Sequence, residues 1–190
     1  MNIGLFFGSF NPVHNGHLII ASHVVQSTSL GQVWLVVSPQ NPLKPAAGLL
    51  NEYHRLHLIK AAIEGENHLR ASDIEFKLPR PSFSIDTITY LNEKYPQHHF
   101  SIILGSDGYQ NLYKWKNYEQ LIKNVVFYIY LRPGFEKIPD FPGANIKVMD
   151  APLLQISATY IRKILKEGKS IRYLVPDTVM EEIMANRYYH

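Results

Sequence analysis

Apolar and polar positions run along this chain in two rhythms. Residues 3–7, 33–37, 100–104 and 125–131 are nearly continuous apolar runs, rich in β-branched and aromatic side chains. That is the pattern of strands buried on both faces of a parallel sheet. Between them the apolar positions fall at helical spacing: Leu18, Ala21 and Val25 around a polar Ser22; Leu56, Ile59 and Ile63; Ile85, Ile88, Leu91 and Tyr95. Asn51 and Ser84 stand where N-caps belong, and Pro176 is placed to open a last helix through Val179 and Ile183. Pro/Gly-rich stretches at 38–48, 78–81 and 132–143 read as loops. Strand and helix taken in turn predict an α/β fold, a doubly wound parallel sheet.

Composition narrows this picture. A chain of 190 residues suits one sizeable core rather than two, so residues 1–190 are expected to form a single Rossmann-like domain with a helical C-terminal part. The 46% apolar and 18% charged content is that of a globular chain rather than a disordered one. Net charge is +3 with no long basic run, which argues against nucleic acid and fits a modest positive site for a phosphorylated small molecule. The absence of cysteine excludes disulfides, thiolate zinc sites and a Cys nucleophile. The apolar residues 3–7 are too few, and lack the basic lead, for a signal peptide or a membrane span. No membrane association is expected, and cytoplasm is the expected setting.

In an open α/β sheet, ligands bind where strands end and helices begin. The first such junction reads Phe7-Gly8-Ser9-Phe10-Asn11-Pro12-Val13-His14-Asn15-Gly16-His17. Gly8 permits a tight turn, and His14 and His17, three apart, can present imidazoles to one phosphate chain beside a helix N-terminus. The GxGxxG and GxxxxGK[ST] patterns are absent here, so neither standard dinucleotide binding nor P-loop chemistry is indicated. A resident metal is not expected either: HExxH is missing and no third ligand accompanies the two histidines.

The segment Gly8 to His17 resembles the HxGH signature of nucleotidylyltransferases related in fold to class I aminoacyl-tRNA synthetases. Near the other end, Ile156-Ser157-Ala158-Thr159-Tyr160-Ile161-Arg162 is similar to the ISSTxIR motif of nicotinate and nicotinamide mononucleotide adenylyltransferases. Physically it reads as a helix start, with two hydroxyls, outward amides and an Arg able to fork onto phosphate. Three further segments extend the resemblance. Pro39-Gln40-Asn41-Pro42-Leu43-Lys44 looks like the family loop whose Lys approaches the phosphates. Phe83-Ser84-Ile85-Asp86-Thr87 resembles SYTxDT, and Gly105-Ser106-Asp107 followed by Trp115 resembles GxDxxxxxxxW.

The resemblance implies AMP transfer from ATP to nicotinate mononucleotide, with pyrophosphate released and no protein nucleophile. It implies His14, His17, Lys44 and Arg162 as the charged or polarising groups around the phosphates. Gly8, Ser9, Phe10, Gly105, Asp107, Ile156, Ser157 and Thr159 would hold ATP together with His14, His17 and Arg162. Lys44, Thr87 and Trp115 would hold the mononucleotide, Thr87 near the ring carboxylate and Trp115 stacked on the pyridine. Mg²⁺ would come with ATP, needing few protein ligands.

The chain departs from the family pattern at Phe7, Asn11, Leu78 and Arg80, and Ala158 replaces the middle Ser of ISST. These touch the second-substrate pocket more than the reaction class. Rival readings are a nicotinamide mononucleotide or pantetheine-phosphate adenylyltransferase, and a nucleotide sensor that keeps the pocket without the chemistry. Tyr188 and Tyr189 could serve an oligomer interface or pack against the domain.

Overall fold

The computed structural model describes residues 1–42, 47–152 and 154–189. Within these residues six strands form one sheet: β1 (Asn2–Gly8), β2 (Gln32–Val37), β3 (Leu69–Ser72), β4 (His99–Gly105), β5 (Val126–Tyr130) and β6 (Asn145–Met149). Their order is β3-β2-β1-β4-β5-β6 and every neighbouring pair is parallel. The four expected strands are β1, β2, β4 and β5. The two added strands are the edges, each paired on one side only. β3 reads Leu-Arg-Ala-Ser and β6 is mostly exposed, so neither carries the continuous apolar run of a two-sided strand.

Among the described residues, seven α-helices cover the sheet: α1 (Asn15–Ser27), α2 (Glu52–Ala62), α3 (Ser84–Lys94), α4 (Ser106–Gln110), α5 (Tyr118–Asn124), α6 (Ala158–Lys166) and α7 (Asp177–Ala185). Alternation along the strands divides the core in two. On one face Phe6, Leu35, Ile103 and Tyr128 pack against α1, α2, α6 and α7; on the other Leu5, Trp34, Ile102 and Phe127 pack against α3, α4 and α5. The C-terminal helices thus complete the layer that α1 begins. No helix among the described residues is long and apolar enough to cross a membrane.

Caps agree with the sequence in part. Asn51 caps α2, its side chain accepting from Tyr53 N–H at 2.9 Å, and Ser157 caps α6 by accepting from Tyr160 N–H at 3.2 Å. Ser84, however, is the first residue of α3, and Phe83 holds the cap position without a side-chain bond. Pro176 is the residue before α7, as its fixed φ favours. Tyr188 and Tyr189 pack against the core on the α2–α7 side, with the Tyr188 hydroxyl 2.9 Å from His54 Nδ1.

Candidate active site

The strand order reverses between β1 and β4, and there the carboxyl ends of the central strands open into a cavity of about 820 Å³. Gly8, Ser9, Phe10, His14 and His17 reach it from the β1–α1 loop. Gly105, Asp107 and Trp115 reach it from the end of β4 and the turns beyond, and Ile156, Ser157 and Thr159 from the entry to α6. Segments far apart in sequence therefore share one concavity because each sits at a strand end or a helix start.

The β1–α1 loop is fastened from several directions. Asn11 accepts from Leu50 N–H at 3.1 Å through Oδ1 and donates from Nδ2 to the Gly48 carbonyl at 3.0 Å. Asn15 binds the Leu174 carbonyl through its backbone N–H at 2.9 Å and the Tyr173 carbonyl through its side chain at 2.8 Å. Arg162 Nη1 donates to the Asn11 carbonyl at 2.7 Å across 151 residues. Arg162 is thus a strut between the two motifs, with Nη2 at 3.4 Å from Thr159 Oγ1, and it does not line the cavity. The tether occupies Nη1 of the side chain that the sequence presents as a phosphate donor.

His14 is the cap of α1 and only 5% exposed. Its ring stacks on His17 with centroids 3.6 Å apart, and His17 packs edge-on to Phe10 at 5.0 Å. Burial, reinforced by the nearby Arg132 cation, pushes the His14 pKa down to about 4, so the imidazole is neutral at pH 7. The His14 backbone N–H donates to His17 Nδ1 at 3.3 Å; a neutral His17 therefore carries its proton on Nε2. Gly16 makes the stack possible: a Cβ there would lie 3.1 Å from His14 Nδ1.

The other end of the cavity is built differently. Trp115, Lys116, Phe83, Ser82 and Glu75 line it. Lys116 Nζ lies 4.9 Å over the Phe83 ring and 2.9 Å from Asp86 Oδ2. Glu75, on a 3-10 turn (Ile74–Lys77), is 2% exposed and accepts from Ser82 Oγ at 2.5 Å and Thr87 Oγ1 at 3.0 Å. Burial pushes its carboxyl up, against the hydrogen bonds from Ser82, Ser38 and Thr87. Thr87, expected at the acceptor's ring carboxylate, is itself fully buried and absent from the cavity wall. Its hydroxyl is committed to Glu75, one layer behind Ser82 and Ser84.

Lys44 lies outside the described residues. A cation the sequence reading missed is Arg132, at the end of the strand layer beyond β5. It lines the cavity, with Nε 3.8 Å from Asp107 Oδ2 and its backbone N–H donating to Ser106 Oγ at 2.9 Å. The available signal was Arg-Pro-Gly directly after an apolar strand, where a ligand-facing loop begins. No group of three His, Asp, Glu or Cys suited to a resident metal occurs among the described residues.

Comparison with known proteins bears on this geometry. The cytidylyltransferase-like family model matches residues 5–164. A protein of Cytophaga hutchinsonii described as a probable nicotinate-nucleotide adenylyltransferase is 50% identical over 189 residues, covering 100% of this chain and 98% of the relative. One of Flavobacterium johnsoniae with the same description is 46% identical, covering 100% and 99%. Among solved structures, the Plasmodium falciparum nicotinic acid mononucleotide adenylyltransferase complexed with NaAD shares the fold, with a TM-score of 0.84 at 22% identity over 99% of this chain and 97% of its own. Its complex with APC gives 0.83 at 21% identity, covering 99% and 96%. The chain belongs to the cytidylyltransferase-like family and, within it, to the nicotinate-nucleotide adenylyltransferases.

Proposed function

We propose that this protein transfers the adenylyl group of ATP to nicotinate mononucleotide, giving deamido-NAD and pyrophosphate in the synthesis of NAD. The observation that carries this reading is the meeting of two helix N-termini, those of α1 and α6, at one cavity through the Arg162–Asn11 strut. Two such termini favour a polyanion through their amides and dipoles.

A phosphate oxygen of the mononucleotide attacks the α-phosphorus of ATP in line. The new P–O bond forms as the bond to the α,β-bridging oxygen breaks, and pyrophosphate departs with the electron pair. No proton need leave a protein nucleophile, so catalysis rests on positioning and on donors aimed at developing charge. We assign His14 and His17, held in their stack, to the phosphates around the reacting centre; with Nδ1 accepting from the His14 backbone, His17 would donate from Nε2. Ser157, Thr159 and the amides opening α6 would receive the β- and γ-phosphates. Gly105 and Asp107 would hold ribose hydroxyls, and Gly8, Ser9, Phe10 and Ile156 would shape the ATP side.

Lys44 keeps its proposed place at the phosphates, and Arg132 joins it. Arg162 acts by holding the two motifs together, and Thr87 by fixing Glu75. Trp115 would stack on the pyridine ring, and the cations Lys114 and Lys116 beside it support an acid over an amide substituent. Magnesium, brought in on ATP's phosphates as part of the substrate, and a cytoplasmic setting belong to the same proposal.

The test is pyrophosphate release from ATP with nicotinate mononucleotide, nicotinamide mononucleotide and phosphopantetheine in turn. Release should be fastest with the nicotinate compound. Tight binding with no product from any acceptor would favour the sensor reading and overturn ours.

A further inference from the structure

Behind the phosphate side of the cavity lies a cation that the proposed chemistry does not use. Arg55, in α2, is wholly buried at 0% exposure. Among the described residues its guanidinium makes no bond to a carboxylate. Instead Nε donates to the Leu50 carbonyl at 2.7 Å, Nη1 to the carbonyls of Ser9 and, at 2.9 Å, Ser38, and Nη2 to that of Pro39 at 3.1 Å.

Burying a charge is costly unless its donors are satisfied, and an apolar side chain would fill the same space more cheaply. What an apolar residue cannot do is tie several peptides at once. The planar, five-donor fork of Arg can, and the point charge of Lys cannot span the same set. Two of the tied peptides, at Ser38 and Pro39, follow β2, and one, at Ser9, follows β1. These are the neighbouring strand ends whose loops form the cavity wall through Ser9, Ser38, Asn41 and Pro42.

Direction matters as much as distance. A trans peptide points its C=O and its N–H to opposite sides; the Ser9–Phe10 and Pro39–Gln40 peptides carry an N–H there, and Ser38–Pro39 carries none. Arg55 is not part of the cavity wall, so the carbonyls it binds face the interior. Their negative ends are thereby kept off the side where an anionic triphosphate would lie. The acceptor side has a second brace: Ser38, held through its carbonyl by Arg55, is also held through its hydroxyl by Glu75.

We infer that Arg55 is a positioning residue for adenylyl transfer: it sets the orientation and spacing of the Ser9 and Ser38–Pro39 turns around ATP's phosphates. The inference rests on the adenylyl-transfer reading above.

The experiment compares wild-type protein with Arg55→Lys, measuring kcat and both Michaelis constants per folded molecule. The kcat/KM for ATP should fall about 10- to 100-fold, as small displacements of preset groups do. The KM for nicotinate mononucleotide should stay within about threefold, because Glu75 still braces that side. A variant whose ATP parameters stay within about threefold of wild type, or whose mononucleotide KM rises in equal measure, overturns the inference.

Should Arg55→Lys not fold, hydrogen exchange on the ligand-free wild type decides. Protection at the amides of Ser9, Phe10 and Gln40 comparable with α2 upholds preset turns, and exchange at the rate of open loops overturns them. Failure of the underlying reading is distinguishable, since the wild type would then release no pyrophosphate with any acceptor.

Discussion

The proposed phosphate end and the proposed acceptor end of the cavity are assembled on opposite plans. At the phosphate end the groups facing the cavity come mostly from short contiguous segments, 8–17, 38–42 and 156–159, joined by Arg132, and what fixes the segments is mostly backbone: helix starts, the Asn15 tie to Leu174, and the Arg162 and Arg55 bonds to carbonyls. At the acceptor end single side chains arrive from separate elements, Glu75 from a 3-10 turn, Ser82 and Phe83 from a loop, Trp115 and Lys116 from the turns before α5, and a buried carboxylate joins them. Backbone amides recognise any phosphate chain. Side-chain walls can change the acceptor accepted without disturbing the transfer step. The contrast therefore separates rate from selectivity.

The contrast can be broken by variants, and the largest effect belongs to the phosphate end. His17→Ala should lower kcat about 10²- to 10³-fold with the circular dichroism spectrum unchanged, the cost of removing one preorganised donor. Near-normal turnover would remove His17 from the chemistry.

Next comes a stability effect from the same stack. Above pH 6.5 His14 is neutral whether the chain is folded or unfolded. As pH falls from 6.5 towards about 4 the unfolded chain takes the proton first, so folded stability is lost across that window. The loss should be on the order of 3 kcal/mol, offset in part by Glu75, whose raised carboxyl pKa acts in the opposite sense. Urea unfolding at pH 7 and pH 4.5 should show a smaller drop for His14→Asn than for wild type. Equal drops would remove the buried imidazole as the cause.

Gly105→Ala probes the junction of the two ends. Its Cβ would run into Asp107 Oδ1 and come within 2.8 Å of Arg132 Cδ. Both atoms belong to flexible, partly exposed side chains, so folding should lose little, and the displacement should be read as roughly a 10-fold fall in kcat/KM for ATP. An unchanged value would argue that neither group touches the nucleotide. The smallest effect is expected at the acceptor end. Trp115→Ala should raise the KM for nicotinate mononucleotide by roughly fivefold, about 1 kcal/mol of stacking, with kcat little changed. A rise confined to the KM for ATP would put the pyridine ring elsewhere.

Legibility in the sequence follows the same division. Central strands β1, β2, β4 and β5 declare themselves because burial on two faces leaves an unbroken apolar run, and the first three helices because one face is buried. Edge strand β3 has one partner and a single apolar side chain of any size, Leu69, so no periodicity marks it. Helices α4 and α5, of 5 and 7 residues, are too short to show a helical period.

At the site, contiguous motifs could be placed because phosphate binding needs a turn and a helix start together. Glu75 could not, since a carboxylate between Ile74 and Phe76 looks like any surface residue until three hydroxyls are seen to close on it. Thr87 was misplaced by one layer for the same reason: spacing shows that it opens a helix, not which way its hydroxyl is used. Arg55 is hidden similarly, as a charged residue on a helix is ordinarily solvated.

The fastening of the first loop to the far end of the chain has a consequence for biosynthesis. The loop bearing His14 and His17 is made first, yet it is held by Arg162, by the Tyr173 carbonyl and by the Leu174 carbonyl. During translation the histidine loop leaves the ribosome with its ties to Leu50, Gly48 and Arg55 close behind it, but long before its C-terminal ones. A chain halted before residue 174 would carry the signature residues without the two bonds that hold Asn15, at the start of the histidine helix. The histidine loop thus takes its full set of ties only in molecules that have been read almost to their last helix.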